Sequence, residues 1–317
     1  VDEARGDTSL TYFEFGTLAA IDIFAGSALD VAIMEVGLGG RLDAVNLLDP
    51  DVALVTGVDL DHTDWLGHDR ESIGREKAGI FRSGRPAVCS DAHPPQSLLR
   101  HADSLGAGLR VLGRDFAFEP GTDSWHWLEP GKTRGGHRDL PMPALRGAAQ
   151  LNNAAGVLMV LELLSDFLPV TATHIHNGLR RASVPGRFQV VPGDIDIVLD
   201  VAHNPQSARA LADNLASAPI EGRTHAVAGM LGDKDIASSL AAVGALIDTW
   251  HVAGLPVPRG ATGADLMAVL EGAGYSGTEY PDVDAALKGA LAVGRTGDRV
   301  VVFGSFHTVA EALAATL

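Results

Sequence analysis

The sequence is poor in cysteine, aromatic side chains and positive charge, and it holds no long apolar run. One cysteine in 317 residues, Cys89, excludes an intramolecular disulfide framework and leaves nothing for a cysteine-based zinc site. A reducing cytoplasm is the simplest compartment for such a chain. Lys and Arg number 24 against 40 Asp and Glu, a net charge of −16. Without surplus cations to neutralise phosphates, no nucleic-acid partner is expected, and any small anion needs a local site. Apolar runs such as 156–161 stop at Glu162, far short of the ~20 residues that a bilayer span requires. The first 30 residues carry Asp2, Glu3, Asp7 and Glu14 in place of a basic n-region, so they do not read as a signal peptide. The expectation is a soluble protein with no membrane partner.

What is present is glycine, 37 residues of it, and short β-branched runs alternating with Ala- and Leu-rich stretches. That alternation predicts an α/β protein with mainly parallel sheets, and at about 100–200 residues per domain the length predicts two domains. Strands are expected at 30–35, 52–58, 86–89, 195–201, 225–230 and 299–303, and helices at 13–24, 70–79, 95–105, 152–167, 207–216 and 283–293. Residues 111–146, with Trp125 and Trp127 alternating among prolines and glycines, read as a hairpin excursion. The segment 183–191, with Pro185 and Gly186, follows a long helical stretch and precedes fresh strand–helix alternation. It is the best domain boundary.

Four constellations could carry chemistry. The first runs from Glu35 through Gly37, Gly39 and Gly40 to Asp43 after an expected strand. A dinucleotide fingerprint needs a sixth-position glycine where Leu42 stands, so hydride chemistry loses support. A ligand-approaching loop and a plain tight turn with a solvated glutamate both remain. The second, Asp59 to Gly67, fails as a calcium loop because Asp64 and Arg70 occupy the positions that require Gly and Glu. His62, among Asp59, Asp61, Asp64 and Asp69, fits a magnesium ligand, an acid/base group or a loop residue bonded to a neighbouring Asp.

The third lies in 70–81, where Ile73, Lys77 and Ile80 share one helical face. A partly buried lysine has a depressed pKa, and its neutral amine can take CO2 to become a carbamate, an oxygen ligand for Mg²⁺. A lysine snorkelling from an apolar face is the other reading. The fourth joins Asn153, Pro185-Gly186-Arg187-Phe188 and Asp200 to Pro205. An arginine for phosphates and an acid for ribose or base suit a nucleotide, although caps and turns around a linker account for each residue singly.

In order along the chain, 10–14, 35–43, 60–67, 70–81, 185–189, 200–205, 229–235 and 304–308 resemble the Mur-ligase superfamily, and within it the bifunctional dihydrofolate synthase/folylpolyglutamate synthases of bacteria. The resemblance implies a P-loop-type ATPase domain over 1–184 and a Rossmann-like Mur ligase C-terminal domain over 185–317. It implies ATP-dependent ligation of L-glutamate to dihydropteroate and to folate polyglutamate tails through an acyl phosphate. By the same resemblance, Glu35 and His62 are ligands of two Mg²⁺ ions and Lys77 carries a carbamate that also reaches metal. His62, Lys77 and Arg187 are catalytic; Asn153, Arg187 and Asp200 bind ATP; Thr11, Phe13, Leu42 and Asp43 form the pterin pocket. His203, Lys234, Asp235 and Ser305 are weaker candidates on the second domain, and a monomer is implied.

The family's Gly-x-x-Gly-Lys-Gly-Ser phosphate loop is missing from the 34 residues that precede Glu35, and Gly131-Lys132-Thr133 lacks the right surroundings. The expectation is therefore a chain truncated at its start, inactive or impaired as it stands. Two alternatives accompany it: a ligase of folate tails alone or another Mur-type amino-acid ligase, and a non-catalytic binding module.

Overall fold

The computed structural model describes residues 1–129 and 136–316; the Gly131-Lys132-Thr133 segment lies outside them. The chain divides into two compact units, Val1–Met142 with Leu151–His176, and Pro143–Gln150 with Asn177–Leu317. Two helices, Ala148–Leu163 and Ala172–Arg181, contribute residues to both.

In the first unit β1 (Ala53–Val55), β2 (Pro86–Cys89) and β3 (Gly108–Val111) form a parallel sheet in that order. Helices Arg70–Ala78 and Gln96–Leu105 cover it, with Ile73, Ala78, Leu98 and Ala102 buried against Val55, Ala87 and Cys89. The expected excursion is an antiparallel sheet of β4 (Ala117–Pro120), β5 (Ser124–Leu128) and β6 (Gly136–Pro141). Trp125 and Trp127, two residues apart on one strand, are both buried and find carbonyl acceptors for their indole N–H groups at Pro141 (3.0 Å) and Ala155 (3.1 Å).

Residues 30–35 are not a strand, contrary to expectation: their backbone is irregular, Val31 is 49% exposed and Ile33 89%. A β-branched alternation only favours pairing, and no neighbouring strand pairs with this segment among the described residues. The strand expected over 52–58 ends at Val55, and the Val58 N–H donates to the Asp91 carboxylate at 3.1 Å.

The second unit is built on β7 (Gln189–Val191), β8 (Asp196–Asp200), β9 (Thr224–Ala228), β10 (Thr249–Ala253), β11 (Gly277–Tyr280) and β12 (Arg299–Phe303). Their order is β11-β10-β9-β12-β8-β7, all parallel except the antiparallel edge strand β7. Side chains alternate between two cores. Val198, Ala226, Val301 and Phe303 meet the layer of helices Pro205–Ser217, Ile236–Gly244 and Gly263–Gly272. Leu199, Val227, Val300 and Val302 meet helices Val283–Val293 and Phe306–Thr316. This doubly covered parallel sheet is the expected Rossmann-like architecture, and its strands deliver Asp200, Gly229 and Gly304 to one carboxyl edge.

Candidate active site

Three of the four constellations meet in the first unit. Asp69 caps helix Arg70–Ala78 by accepting the Ser72 N–H (2.7 Å), and burial of Ile73 and Ala78 turns that face of the helix inward with Lys77 half-buried. Burial holds the Lys77 amine below the usual lysine pKa, partly offset by the negative charge of Asp61, the residue before His62. The neutral amine that CO2 requires is thereby favoured.

The 37–43 loop packs on the carboxyl end of this helix. Gly40 has φ 156°, and a Cβ there would stand 2.9 Å from the Glu76 carbonyl oxygen and 3.1 Å from that of Lys77. The Arg41 N–H donates to the Glu76 carbonyl at 2.9 Å, and the two side chains pair at 3.0 Å. Leu66, four residues after His62, lies against Gly39. His62 itself is exposed and left-handed at φ 49°, a conformation its N–H supports by donating to Asp61 Oδ1 at 2.8 Å.

Of the expected pterin residues, Asp43 does visible local work. Its Oδ2 accepts the Leu38 N–H (2.8 Å) and its Oδ1 the Val45 N–H (2.9 Å), so the carboxylate closes the glycine loop and keeps lone pairs for another donor. The Phe13 ring stacks on Gly37, where a Cβ would come within 2.7 Å of the ring. Thr11 and Glu14 form a capping box that starts helix Tyr12–Ala25 and orients Phe13. Leu42 is 79% exposed.

Glu35 is exposed, and no hydrogen bond or ion pair engages its carboxylate among the described residues. Its carboxylate is an oxygen donor and the exposed imidazole of His62 a nitrogen donor, both of kinds that divalent cations take. No group of three His, Cys, Asp or Glu side chains that could hold a metal ion is found among the described residues. Asn153 lies on helix Ala148–Leu163 of this unit, half-buried.

In the second unit the turn 184–189 presents Arg187 to solvent. Gly186 (φ 71°) and Phe188 (φ 44°) flank it, both left-handed. The buried Asp200 fastens this turn: its Oδ2 accepts the Phe188 N–H at 2.9 Å and its Oδ1 the Ala202 N–H at 2.8 Å, while the Val201 N–H donates to the Gly186 carbonyl at 2.8 Å. Burial pushes the Asp200 carboxyl pKa up, opposed by those two N–H groups and by the Arg187 and His203 charges. The His203 Nδ1–H donates to the Val201 carbonyl at 2.8 Å, leaving Nε2 available.

The weaker candidates separate. Asp235 caps helix Ile236–Gly244 through the Ser238 N–H (3.0 Å). Ser305 is buried, accepts the Thr308 N–H (3.0 Å) and donates to Thr308 Oγ1 (2.8 Å), which in turn donates to the Gly229 carbonyl (2.6 Å). Both hold the carboxyl edge together. Lys234 is half-buried in the loop before that helix.

Residues 186–306 match the Mur ligase, glutamate ligase domain family. The dihydrofolate synthase/folylpolyglutamate synthase of Escherichia coli (strain K12) is 44% identical over 313 residues, covering 99% of this chain and 71% of that one. The chain belongs to the dihydrofolate synthase/folylpolyglutamate synthase family. The solved E. coli FolC in complex with DHPP and ADP superposes with a TM-score of 0.91 at 44% identity, covering 99% of this chain and 72% of that one. A bifunctional folylpolyglutamate synthase/dihydrofolate synthase with Mn, AMPPNP and L-glutamate bound gives 0.89 at 48% identity, covering 99% and 73%. The family's use of a nucleotide and a divalent metal is thus seen in solved members. The chain spans 71–73% of the length of these three relatives, and none of them tests the expectation of an impaired fragment.

Sequence reasoning missed two features. Asp61 was grouped with three other acids, yet it is the one whose charge reaches Lys77. Arg146, Arg180 and Arg181, which line a hollow with Arg187, were not singled out. An Arg-Arg doublet in a chain of net charge −16 was the available signal.

Proposed function

We propose that this protein is an ATP-dependent ligase that adds L-glutamate to dihydropteroate and to folate polyglutamate tails. The observation that carries the reading is the packing of the 37–43 loop, the His62 turn and the Lys77 helix upon one another, in a chain 44% identical to the E. coli enzyme. Residues 1–184 are the nucleotide-handling portion and 185–317 the glutamate-ligase portion.

In the first step a carboxylate oxygen of the acceptor attacks the γ-phosphorus of ATP. The new P–O bond forms as the bond to ADP breaks, leaving an acyl phosphate. The amine of glutamate then attacks the acyl carbon, phosphate departs and the amine loses a proton, giving the amide. Both steps are governed by positioning and by positive charge around the phosphoryl group.

Phe13 offers an aromatic face to the pterin, Asp43 accepts its N–H donors, and Thr11 and Leu42 border it. Asn153, Arg187 and Asp200 take the nucleotide, Arg187 as the phosphate partner and Asp200 by holding the turn that carries it. Lys77 in its neutral form takes CO2, losing a proton to become a carbamate, and with Glu35 and His62 this carbamate would hold two Mg²⁺ ions. When bound, those ions supply positive charge to the transferring phosphoryl group. The protein acts on small molecules as a cytoplasmic monomer, without nucleic acid or membrane; its net charge of −16 supports the absence of a nucleic-acid partner.

The test is ADP release by the purified protein. Release that requires both dihydropteroate and L-glutamate supports the assignment; release indifferent to the acceptor, or none with any pteroate, refutes it.

A further inference from the structure

A hollow of about 280 Å³ in the second unit is lined by four arginines, Arg146, Arg180, Arg181 and Arg187, and by no acidic side chain. The four come from three separate stretches of chain. Arg180 and Arg181 end helix Ala172–Arg181, where the helix dipole favours cations. That preference does not account for Arg146 or Arg187, which arrive from loops. The walls are fastened: the Ala144 N–H donates to the Leu179 carbonyl at 2.8 Å, and Asp200 holds the Arg187 turn. Among the described residues no hydrogen bond or ion pair engages the guanidinium of Arg146, Arg180 or Arg181, although the chain has 40 acidic residues to spare.

Unpaired like charges gathered on a prearranged wall repel one another, and the arrangement is relieved by an anion with several spaced negative groups. At about 280 Å³ the space is at or below the usual range for a whole drug-sized ligand, so it suits a short anionic segment better than an entire nucleotide. Resting on the function proposed above, the geometry points to the α-carboxylates of a γ-linked oligoglutamate chain as the occupant. Arg146, Arg180 and Arg181 grip the acceptor's tail through paired N–H donors, and Arg187 is left to the nucleotide. A chain of net charge −16 repels a polyanionic tail at long range, so a local cluster of this kind is what lets longer acceptors bind.

Isothermal titration of the purified protein with γ-linked pentaglutamate, L-glutamate and inorganic triphosphate at low salt tests this. Pentaglutamate is expected to bind at least tenfold more tightly than L-glutamate, and the triple variant Arg146→Gln, Arg180→Gln, Arg181→Gln is expected to lose at least tenfold of that affinity with an unchanged melting temperature. Arg146→Gln alone, at an exposed position, is expected to lose about threefold. Equal pentaglutamate affinity in wild type and triple variant overturns the proposal, as does inorganic triphosphate binding the same arginines more tightly than pentaglutamate. ADP release with a monoglutamyl acceptor, expected to be unaltered in the triple variant, reports on the proposed function separately.

Discussion

The Asp200 carboxylate accepts the Phe188 N–H at 2.9 Å, and this one bond ties the end of a central strand to the left-handed turn that displays Arg187. Its other oxygen holds the Ala202 N–H, so a single buried acid determines where the arginine stands. Asp200→Ala strands two donors and is expected to cost about 2–4 kcal/mol in urea unfolding. Asp200→Asn keeps the shape with one carbonyl oxygen instead of two and is expected to cost about half as much. Nucleotide affinity, measured by equilibrium dialysis, falls in both. An Asp200→Ala protein of wild-type stability and nucleotide affinity would contradict this.

Gly186 and Gly84 make a matched pair. Both have positive φ, 71° and 66°, but a Cβ at Gly186 would come within 2.8 Å of Val201 whereas Gly84 has open space. Gly84→Ala is expected to cost about 1–2 kcal/mol for the backbone alone. Gly186→Ala adds a packing clash of about 1–3 kcal/mol. Equal losses in thermal unfolding would show that the turn yields.

For Lys77 the expected signature is spectroscopic. Protein equilibrated with ¹³C-bicarbonate is expected to show a carbamate carbon resonance that is missing from Lys77→Met. That variant trades a desolvated amine for an apolar chain of similar length, so its stability is expected to hold or rise by about 1 kcal/mol. Its ADP release is expected to fall by about 100-fold or more. A resonance that persists in Lys77→Met assigns the carbamate elsewhere.

The second unit carries a polar chain that starts near the amino ends of β9, β10 and β12 and reaches Tyr280, the last residue of edge strand β11. His225 bonds Thr249 at 2.6 Å and Asp298 at 3.2 Å, and His251 bonds Tyr280 at 3.1 Å. Burial, and then the charge of His225, pushes the His251 pKa down to about 4 from 6.5. The unfolded chain therefore binds more protons between those values, and stability is lost as pH falls from about 6.5 to 4, by at most about 3 kcal/mol. Asp298, held at about 2 by the Arg223 and Arg295 N–H groups and His225, contributes a further loss only below 3.8. Urea unfolding at pH 7, 6 and 5 is expected to show the first limb, and His251→Gln to flatten it. An unchanged slope in that variant would place the titration on another group.

Where a segment's local pattern and its surroundings agree, the sequence was legible. Strand β12 and helix Val283–Val293 fall on their expected residues, because one is a β-branched run buried on both faces and the other an apolar stripe behind a capping Asp282. Strands β10 and β11 were not foreseen: Trp250 and His251 sit in a short stretch broken by polar residues, and it is pairing with β9 that makes it a strand. The opposite error befell 30–35, whose pattern asks for a partner that the described residues do not supply. The site motifs were legible as residue types at strand and helix ends. That Asp43, Asp200 and Ser305 spend their oxygens on neighbouring backbone N–H groups was not, since those bonds depend on loop conformations set by distant contacts.

The central claim is that an acceptor carboxylate becomes an acyl phosphate before glutamate attacks it. Dihydropteroate labelled with ¹⁸O in its carboxylate tests it most directly. One labelled oxygen is predicted in the phosphate released per turnover, with ADP appearing in equal amount. Phosphate free of ¹⁸O alongside newly formed amide would contradict the account.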